Sequence, residues 1–443
     1  MDRRSFIRTG SAGVLVAASG CGGGGSSPEA AGASTVPASA TTAEAQALAA
    51  TDALPPKARV IVVGGGMAGA AAAKYLRRWG GGIDVTLIDR NLKYTSNIMS
   101  NLVLTGQRSL SSLAYGYDTL KRRWGVKVLT DEVIALDPVN VSLRLAGGAT
   151  LTADRIVLAP GVEFDAPAGN YDATLMPHAW QAGVQTTLLQ QQLAAMRAGG
   201  TVVLTVPKAP YRCPPGPYER ACLLADWLKT NKPGSKLIVL DANPDFVTEA
   251  DNFSLAFYGL HANVIEYRTN VRIDSVDVST MTLSTDGGLV HGDVINLIPV
   301  HRAGKLVQLA GLATANGGRF APVDVLSYAS TDAPRIHVLG DANSTTQPKS
   351  GHLANQEAKV CADAIARIVA GGQPDAAPVT STACYSTITR SQATWLTALF
   401  QYDAATQTMV VPAAASGASS GWNSENYRDM GVWFQSLMSD TFA

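Results

Sequence analysis

From Lys57 onward, short runs of aliphatic and β-branched residues alternate with longer stretches whose apolar positions recur at helical spacing. Val60–Val63 is continuous and apolar, the pattern of a parallel strand buried on both faces. Glycines follow at once, and Ala70-Ala-Ala-Ala-Lys-Tyr-Leu-Arg-Arg78 then predicts a helix. Val85–Ile88 predicts the next strand, which ends on Asp89. Further strands are predicted at 154–159, 201–206, 236–241 and 335–339, with a helix over 354–369. Strands that alternate with helices predict an α/β fold with a mainly parallel sheet.

The first strand–turn–helix carries the most specific chemistry. Gly64, Gly66 and Gly69 fill the spaced glycine positions of a dinucleotide-binding turn. The first permits the tight turn, the second lets backbone approach a pyrophosphate, and the third lets helix and strand pack closely. Met67 and Ala68 open the helix, whose N-terminal amides and dipole face the phosphates. Asp89 suits a pair of ribose hydroxyls, with Arg90 beside it. Two later segments extend the unit. Asp154–Gly161 is a strand ending in a turn at Ala159 and Gly161, and Arg335–Asp341 is a strand ending on Gly340 and Asp341. In flavoproteins with two dinucleotide domains, these positions mark the exit from the FAD domain and a carboxylate beside the ribityl-phosphate.

A second α/β unit lies between them. After its first strand, where a nicotinamide enzyme places another glycine fingerprint, the chain reads Pro207-Lys-Ala-Pro-Tyr-Arg-Cys-Pro-Pro-Gly-Pro217. Proline has no amide hydrogen and fixes φ, so this turn makes no cradle of amides for a pyrophosphate. NAD(P) is therefore not expected there.

Composition bounds the remaining possibilities. The chain has 443 residues, enough for two or three domains, with 46% apolar and 16% charged residues, the balance of a globular body. Lys+Arg and Asp+Glu both number 35, which gives no electrostatic case for nucleic acid. The first residues read as processing signals rather than fold. Asp2-Arg3-Arg4-Ser5-Phe6-Ile7-Arg8 resembles a twin-arginine export signal, and Ala18-Ser19-Gly20-Cys21 resembles a lipobox with Cys21 as the acylated residue. A cleaved signal peptide with an incidental cysteine is the alternative. Residues 22–57 read as a flexible tether. The expected location is periplasmic or extracytoplasmic, with membrane contact only through the lipid at Cys21. No CxxCH occurs, so any c-type haem belongs to another chain, and no Cys/His spacing suggests a metal site.

At this point the chain resembles the flavoprotein subunit of flavocytochrome c sulfide dehydrogenase, a branch of the disulfide-reductase-like flavoproteins. The residues that carry the resemblance are the 64/66/69 turn, Pro177-His-Ala-Trp180, Tyr211–Arg220, Ile295–Pro299, Arg302–Lys305, Gly340-Asp341, Lys349-Ser-Gly351 and Asp440-Thr-Phe442. The resemblance implies two Rossmann-like domains in the glutathione-reductase manner plus a C-terminal α+β segment. The boundaries expected are 58–167 with 293–372 for the FAD domain, 168–292 for the second domain and 373–443 for the C-terminal part. It also implies FAD, with Lys349 and Gly351 among its contacts, and a reduced sulfur compound as donor. A c-type cytochrome subunit or a soluble cytochrome c is the implied acceptor. Sulfide would attack a disulfide beside the flavin, form a persulfide and release a thiolate that reduces the isoalloxazine.

Cys213 matches one sulfur of that pair and Glu219 a nearby carboxylate, although Glu219 read alone is a solvated helix-start residue. The second redox cysteine is expected at Ala321, where alanine breaks the relay, unless Cys222 or Cys361 replaces it. Cys384 is expected to be structural. The family's cysteinyl attachment to FAD falls at or beside Asn97, where residues 94–100 hold no cysteine, so FAD is expected to be non-covalent. Arg212 is expected to favour the Cys213 thiolate, although burial opposes it. Two other functions remain open at this level: an electron-transfer flavoprotein with a non-sulfide donor, and a non-catalytic flavin-binding accessory subunit.

Overall fold

The computed structural model describes residues 55–443. The export signal, Cys21 and nearly all of the expected tether lie outside the described residues.

The main sheet has eight strands, and its parallel centre is built from the predicted segments. Ala58–Val63 lies between Ile83–Asp89 and Arg155–Leu158, and Ala333–Val338 flanks the latter. Both faces of the first strand are covered, which explains its unbroken apolar run. Helix Met67–Trp79 packs on one face through Ala70–Ala73, all fully buried, and helix Gly351–Val369 packs against it. The glycines are required by contact. Gly64 has φ +97°, and a Cβ there would sit 2.3 Å from the Ala159 carbonyl oxygen. At Gly69 a Cβ would lie 1.7 Å from the Gly64 oxygen.

The second unit is a four-stranded parallel sheet, in the order Ile265–Arg268, Lys236–Asp241, Thr201–Val206, Val294–Asn296. This corrects the boundary expected at 293. Val294–Asn296 pairs with Val202–Leu204, and the Asp293 amide donates to the Thr201 carbonyl, so those residues belong to the second sheet. The chain returns to the flavin side only where His301–Ala303 pairs with Val162–Phe164. Beside the second sheet, Tyr218, Phe246, Phe253, Phe257 and Tyr267 form one aromatic cluster. Tyr218 and Tyr267 both donate to Asp241 Oδ2 at 2.8 Å. The carboxylate that ends this strand, the counterpart of Asp89, is therefore held by the protein's own hydroxyls.

The C-terminal part is a long hairpin, Val379–Thr389 with Gln392–Asp403, followed by helix Ser424–Phe442. It is integral to the flavin unit. Met430, Phe434, Leu437, Met438 and Phe442 join the same buried cluster as Tyr75, Leu76 and Trp124. The Asp440 carboxylate accepts hydrogen bonds from Tyr75, Asn355 and Lys359 across that seam. Among the described residues, no helix is long and apolar enough to cross a membrane. Replacing Phe434 by alanine is expected to cost about 3–5 kcal/mol, read as a lower denaturant midpoint for the flavin unit in chemical unfolding.

Candidate active site

A cavity of about 680 Å³ runs between the two sheets and under the C-terminal hairpin. At one end it is walled by the glycine turn and Asp89, and at the other by Cys213, Glu219, Cys384 and Trp433. Helix Met67–Trp79 begins at Gly66 with no capping side chain and no acidic residue in its first turn. Its first amides are thus left for an anion. A Cβ at Gly66 would meet only the Tyr94 ring, at 3.5 Å, so the space this glycine keeps open lies toward the cavity rather than the protein. Asp89 anchors the turn, accepting from the Gly65 amide at 2.6 Å and the Asn91 amide at 2.7 Å.

Most of the expected site residues converge on this cavity. Gly64, Gly66, Met67, Ala68, Asp89, Arg90, Asn97, Ala159, Gly161, Gly340, Asp341 and Gly351 line it, with Cys213 and Glu219. Gly69 does not, because it packs helix on strand as its spacing implied. Lys349 is not in the wall itself. It stands behind the wall, where its Nζ donates to the Asn343 carbonyl and lies 3.9 Å from the Phe320 ring centroid. Its charge still acts on Asp341.

Asp341 shows best that the cavity is built for a ligand. Its Oδ1 is buried with no hydrogen-bond partner, and burial raises its pKa despite Arg212 and Lys349. An unsatisfied buried carboxylate costs free energy unless a donor arrives. The hydroxyls of a ribityl chain are such donors. Below it, Glu357 accepts from the Gly340 amide at 2.7 Å and from Asn343 at 2.8 Å, which fixes the turn.

The sulfur end departs further from the sequence expectation. Cys213 has φ +59° on the proline turn, and its amide donates to the Lys349 carbonyl at 2.7 Å. A Cβ on Gly216 would sit 2.9 Å from Cys213 Sγ and 2.9 Å from the Trp180 ring, so only glycine fits there. Ala321, expected to mark the lost second sulfur, is fully buried among apolar residues beside Phe320 and is absent from the cavity wall. Cys384, expected to be structural, is in the wall with Cys213. The hairpin folds back over the flavin unit and delivers it there, a long-range placement that local pattern does not reveal. Cys222 and Cys361 are fully buried in the cores of the two units. Cys213, Cys384, Cys222 and Cys361 are all free thiols.

The electrostatics of this end are set by burial. Burial, then the adjoining Cys384 and Glu219, push the Cys213 thiol well above its ordinary value, and Arg212 opposes them without prevailing. Burial, then Glu249, push Cys384 up to about 12. Glu219 is no solvated helix-start residue. Its Oε2 accepts from Asn101 Nδ2 at 2.7 Å, and its Oε1 accepts from the Thr387 hydroxyl at 2.7 Å and amide at 3.1 Å. Burial raises its pKa against those hydrogen bonds. Arg220 props the same corner, donating to Asn101, Asn296 and the His178 and Ala179 carbonyls while its guanidinium lies 4.6 Å from the Trp180 ring centroid. Arg220, Trp180, Asn101 and Thr387 were not singled out for chemistry from sequence. The Tyr211–Arg220 run held Arg220 and the Pro177–Trp180 run held Trp180, while Asn101 and Thr387 lay in no run that carried a signal.

Comparisons with known proteins agree with this architecture. Residues 186–299 match the family described as sulfide dehydrogenase [flavocytochrome c] flavoprotein chain, central, and residues 376–442 match flavocytochrome c sulphide dehydrogenase, flavin-binding. Residues 58–188 match pyridine nucleotide-disulphide oxidoreductase. Among solved structures, the sulfide:quinone oxidoreductase of the hyperthermophilic bacterium Aquifex aeolicus superposes with TM-score 0.68 at 16% identity, over 86% of this chain and 91% of that one. The putidaredoxin reductase–putidaredoxin complex gives TM-score 0.60 at 18% identity over 78% and 82%. The NAD-dependent persulfide reductase of A. fulgidus gives 0.57 at 15% over 86% and 77%. At these identities the structures establish the fold alone.

The cofactor of this chain is FAD, and this cavity is where its residues would hold it. The glycine turn and first helix would hold its diphosphate, Asp89 its adenosine ribose and Asp341 its ribityl chain. With no cysteine in 94–100, denaturation in acid is expected to release all the flavin into the supernatant, read by its absorbance after protein removal. Asp341→Ala is expected to weaken FAD binding about 10–100-fold, the worth of one charged hydrogen bond, as measured by titration of the apoprotein.

Proposed function

We propose that this chain, which belongs with the flavocytochrome c sulfide dehydrogenase flavoprotein-like proteins and is an FAD-dependent oxidoreductase of sulfur compounds, oxidises sulfide and passes the electrons to a c-type cytochrome. The observation that carries this reading is the presence of Cys213 and Cys384 in one cavity wall with Glu219. The two cysteines supply both sulfurs of a redox pair, and the chemistry does not depend on Ala321.

In its oxidised form the pair is a Cys213–Cys384 disulfide. Hydrosulfide attacks one sulfur and the S–S bond breaks, leaving a persulfide on one cysteine and a thiolate on the other. Glu219 stands at this corner and takes the proton that incoming hydrogen sulfide sheds. A second hydrosulfide removes the sulfane sulfur as hydrogen disulfide, and the two cysteines are left reduced. Their closure to the disulfide releases two electrons and two protons. The bound flavin supplies the acceptor for that electron pair and the means of passing it on one electron at a time. The raised pKa values of both thiols keep the reduced pair protonated, so electrons leave this site together with protons.

The remaining chain residues orient and exclude. Trp180 and Arg220 close the floor beneath Cys213, and Thr387 and Asn101 aim the Glu219 carboxylate. The nicotinamide position is not the electron entry, because the proline turn lacks the amides that a pyrophosphate needs. The Arg3-Arg4 and Cys21 motifs support export and a lipid anchor, which would place the enzyme beside an extracytoplasmic cytochrome.

Anaerobic sulfide is expected to bleach the flavin visible band of the loaded protein. Cys213→Ser and Cys384→Ser are each expected to abolish bleaching, and retention of full bleaching in Cys384→Ser would sink the paired-sulfur reading. Glu219→Gln is expected to slow bleaching about 10²–10⁴-fold. As a base, Glu219 works ionised, so the wild-type rate rises with pH through a limb placed above the ordinary carboxylate range. That limb is expected to vanish in the glutamine variant. Labelled fatty acid is expected to enter the wild-type protein in cells and not the Cys21→Ser variant, as read by autoradiography.

A further inference from the structure

The cations at the cavity other than Arg212 are held by protein groups or face solvent. Arg220 donates to four oxygens and stacks on Trp180. Lys349, just behind the wall, is held by the Asn343 carbonyl and Phe320. Arg90 is exposed, 3.9 Å from Glu132. Lys93 and Lys305 are exposed to solvent at the mouth.

Arg212 differs from all of these. It lines the cavity and is only 8% exposed. Its backbone is pinned from both sides: the amide donates to His301 Nδ1 at 3.0 Å, and the carbonyl accepts from Trp180 Nε1 at 3.2 Å. Its guanidinium has no hydrogen-bond or ion-pair partner among the described residues, although Asp341 feels its charge before that of any other cation. Asp341 Oδ1 is equally unpartnered. The buried Arg212 and the half-buried Asp341 share one cavity, and their opposite charges do not close on each other. A buried guanidinium left so is costly unless a ligand completes its hydrogen bonds. The ligand between them must present donors to Asp341 and an electron-rich edge to Arg212.

We propose that Arg212 is the charge partner of the flavin ring, its planar fork taking the N1–C2 carbonyl edge of the isoalloxazine while Asp341 takes the ribityl hydroxyls. The fork matches that edge in shape. Two-electron reduction places negative charge on the same edge, so a fixed cation there favours reduced over oxidised flavin, more strongly in a dry cavity than in water. Arg212 thereby raises the flavin's potential toward that of a sulfur donor. The proposal rests on FAD occupying this cavity and not on the identity of the donor, so its test uses no sulfide.

The competing role for Arg212 is to serve the adjacent Cys213 sulfur, and a Cys213→Ser background removes it. In FAD-loaded Cys213→Ser protein, photochemical reduction beside a reference dye reads the potential. Arg212→Gln in that background is expected to shift the oxidised-to-reduced flavin ratio at fixed dye ratio about tenfold or more toward oxidised, and Arg212→Lys is expected to restore part of the shift. An unchanged ratio in Arg212→Gln overturns the proposal, and so does a lysine variant that restores nothing. Titration of oxidised and of reduced FAD onto the refolded apoproteins gives the second measurement. Arg212→Gln must weaken the reduced form more than the oxidised form, and equal weakening of both overturns the assignment.

Discussion

Glu219 accepts hydrogen bonds from Asn101, which lies in the flavin unit, and from Thr387, which lies in the C-terminal hairpin, while its own backbone begins the second unit's helix. Three parts of the chain far apart in sequence are thereby fixed around one buried carboxylate. Burying such a group costs free energy, and the cost is offset only while all of its partners stay in place. The sulfur geometry depends on this arrangement. Cys213 stands six residues before Glu219 and Cys384 three residues before Thr387, so the carboxylate that aims at the site also sets the positions of both sulfurs. Asn101 is held in turn by Arg220, which extends the same network to Trp180 and Asn296.

The proline turn shows how one local change redirects a whole domain. A Rossmann-type strand followed by a glycine turn would offer amides to a second dinucleotide. Here the strand Thr201–Val206 runs into prolines, and the helix begins only at Gly216. The extra length carries Cys213 across to the flavin unit, where its amide meets the Lys349 carbonyl. At the other end of the would-be nucleotide site, Asp241 is occupied by two tyrosine hydroxyls and by Asn243. The second unit keeps the Rossmann frame and carries Cys213 into the wall of the cavity.

What the sequence disclosed follows from this division. The flavin half was legible because its determinants are local: an apolar strand, glycines whose missing Cβ atoms are required by backbone contacts, and a carboxylate at a fixed spacing. The proline turn was legible for the same reason, since absent amides can be read directly. The Cys213–Cys384 association was not, because it depends on how a hairpin beginning near residue 379 folds back over a helix beginning at 216. The setting of the Ala321 segment was hidden on the same ground. That segment pairs with Asn343–Ser344 and turns its alanine into the core, which no local pattern records. The domain boundary at 293 slipped by about one strand, because Val294–Asn296 is short and its apolar run suits either sheet.

The chemistry of the sulfur end then follows from burial more than from any single charge. Cys213, Cys384 and Glu219 all hold their protons more tightly than they would in water, and desolvation is the largest cause for each. An attacking anion entering such a site loses hydration, which strengthens its interaction with the few fixed dipoles present. Negative charge on either sulfur is disfavoured there, since burial raises both thiols. Arg212 opposes the rise of the Cys213 thiol without prevailing, and it acts on Asp341 more strongly than any other cation does. Charge is therefore disfavoured at the sulfurs, and the proposed pairing of Arg212 with the flavin edge would favour it at the ring instead.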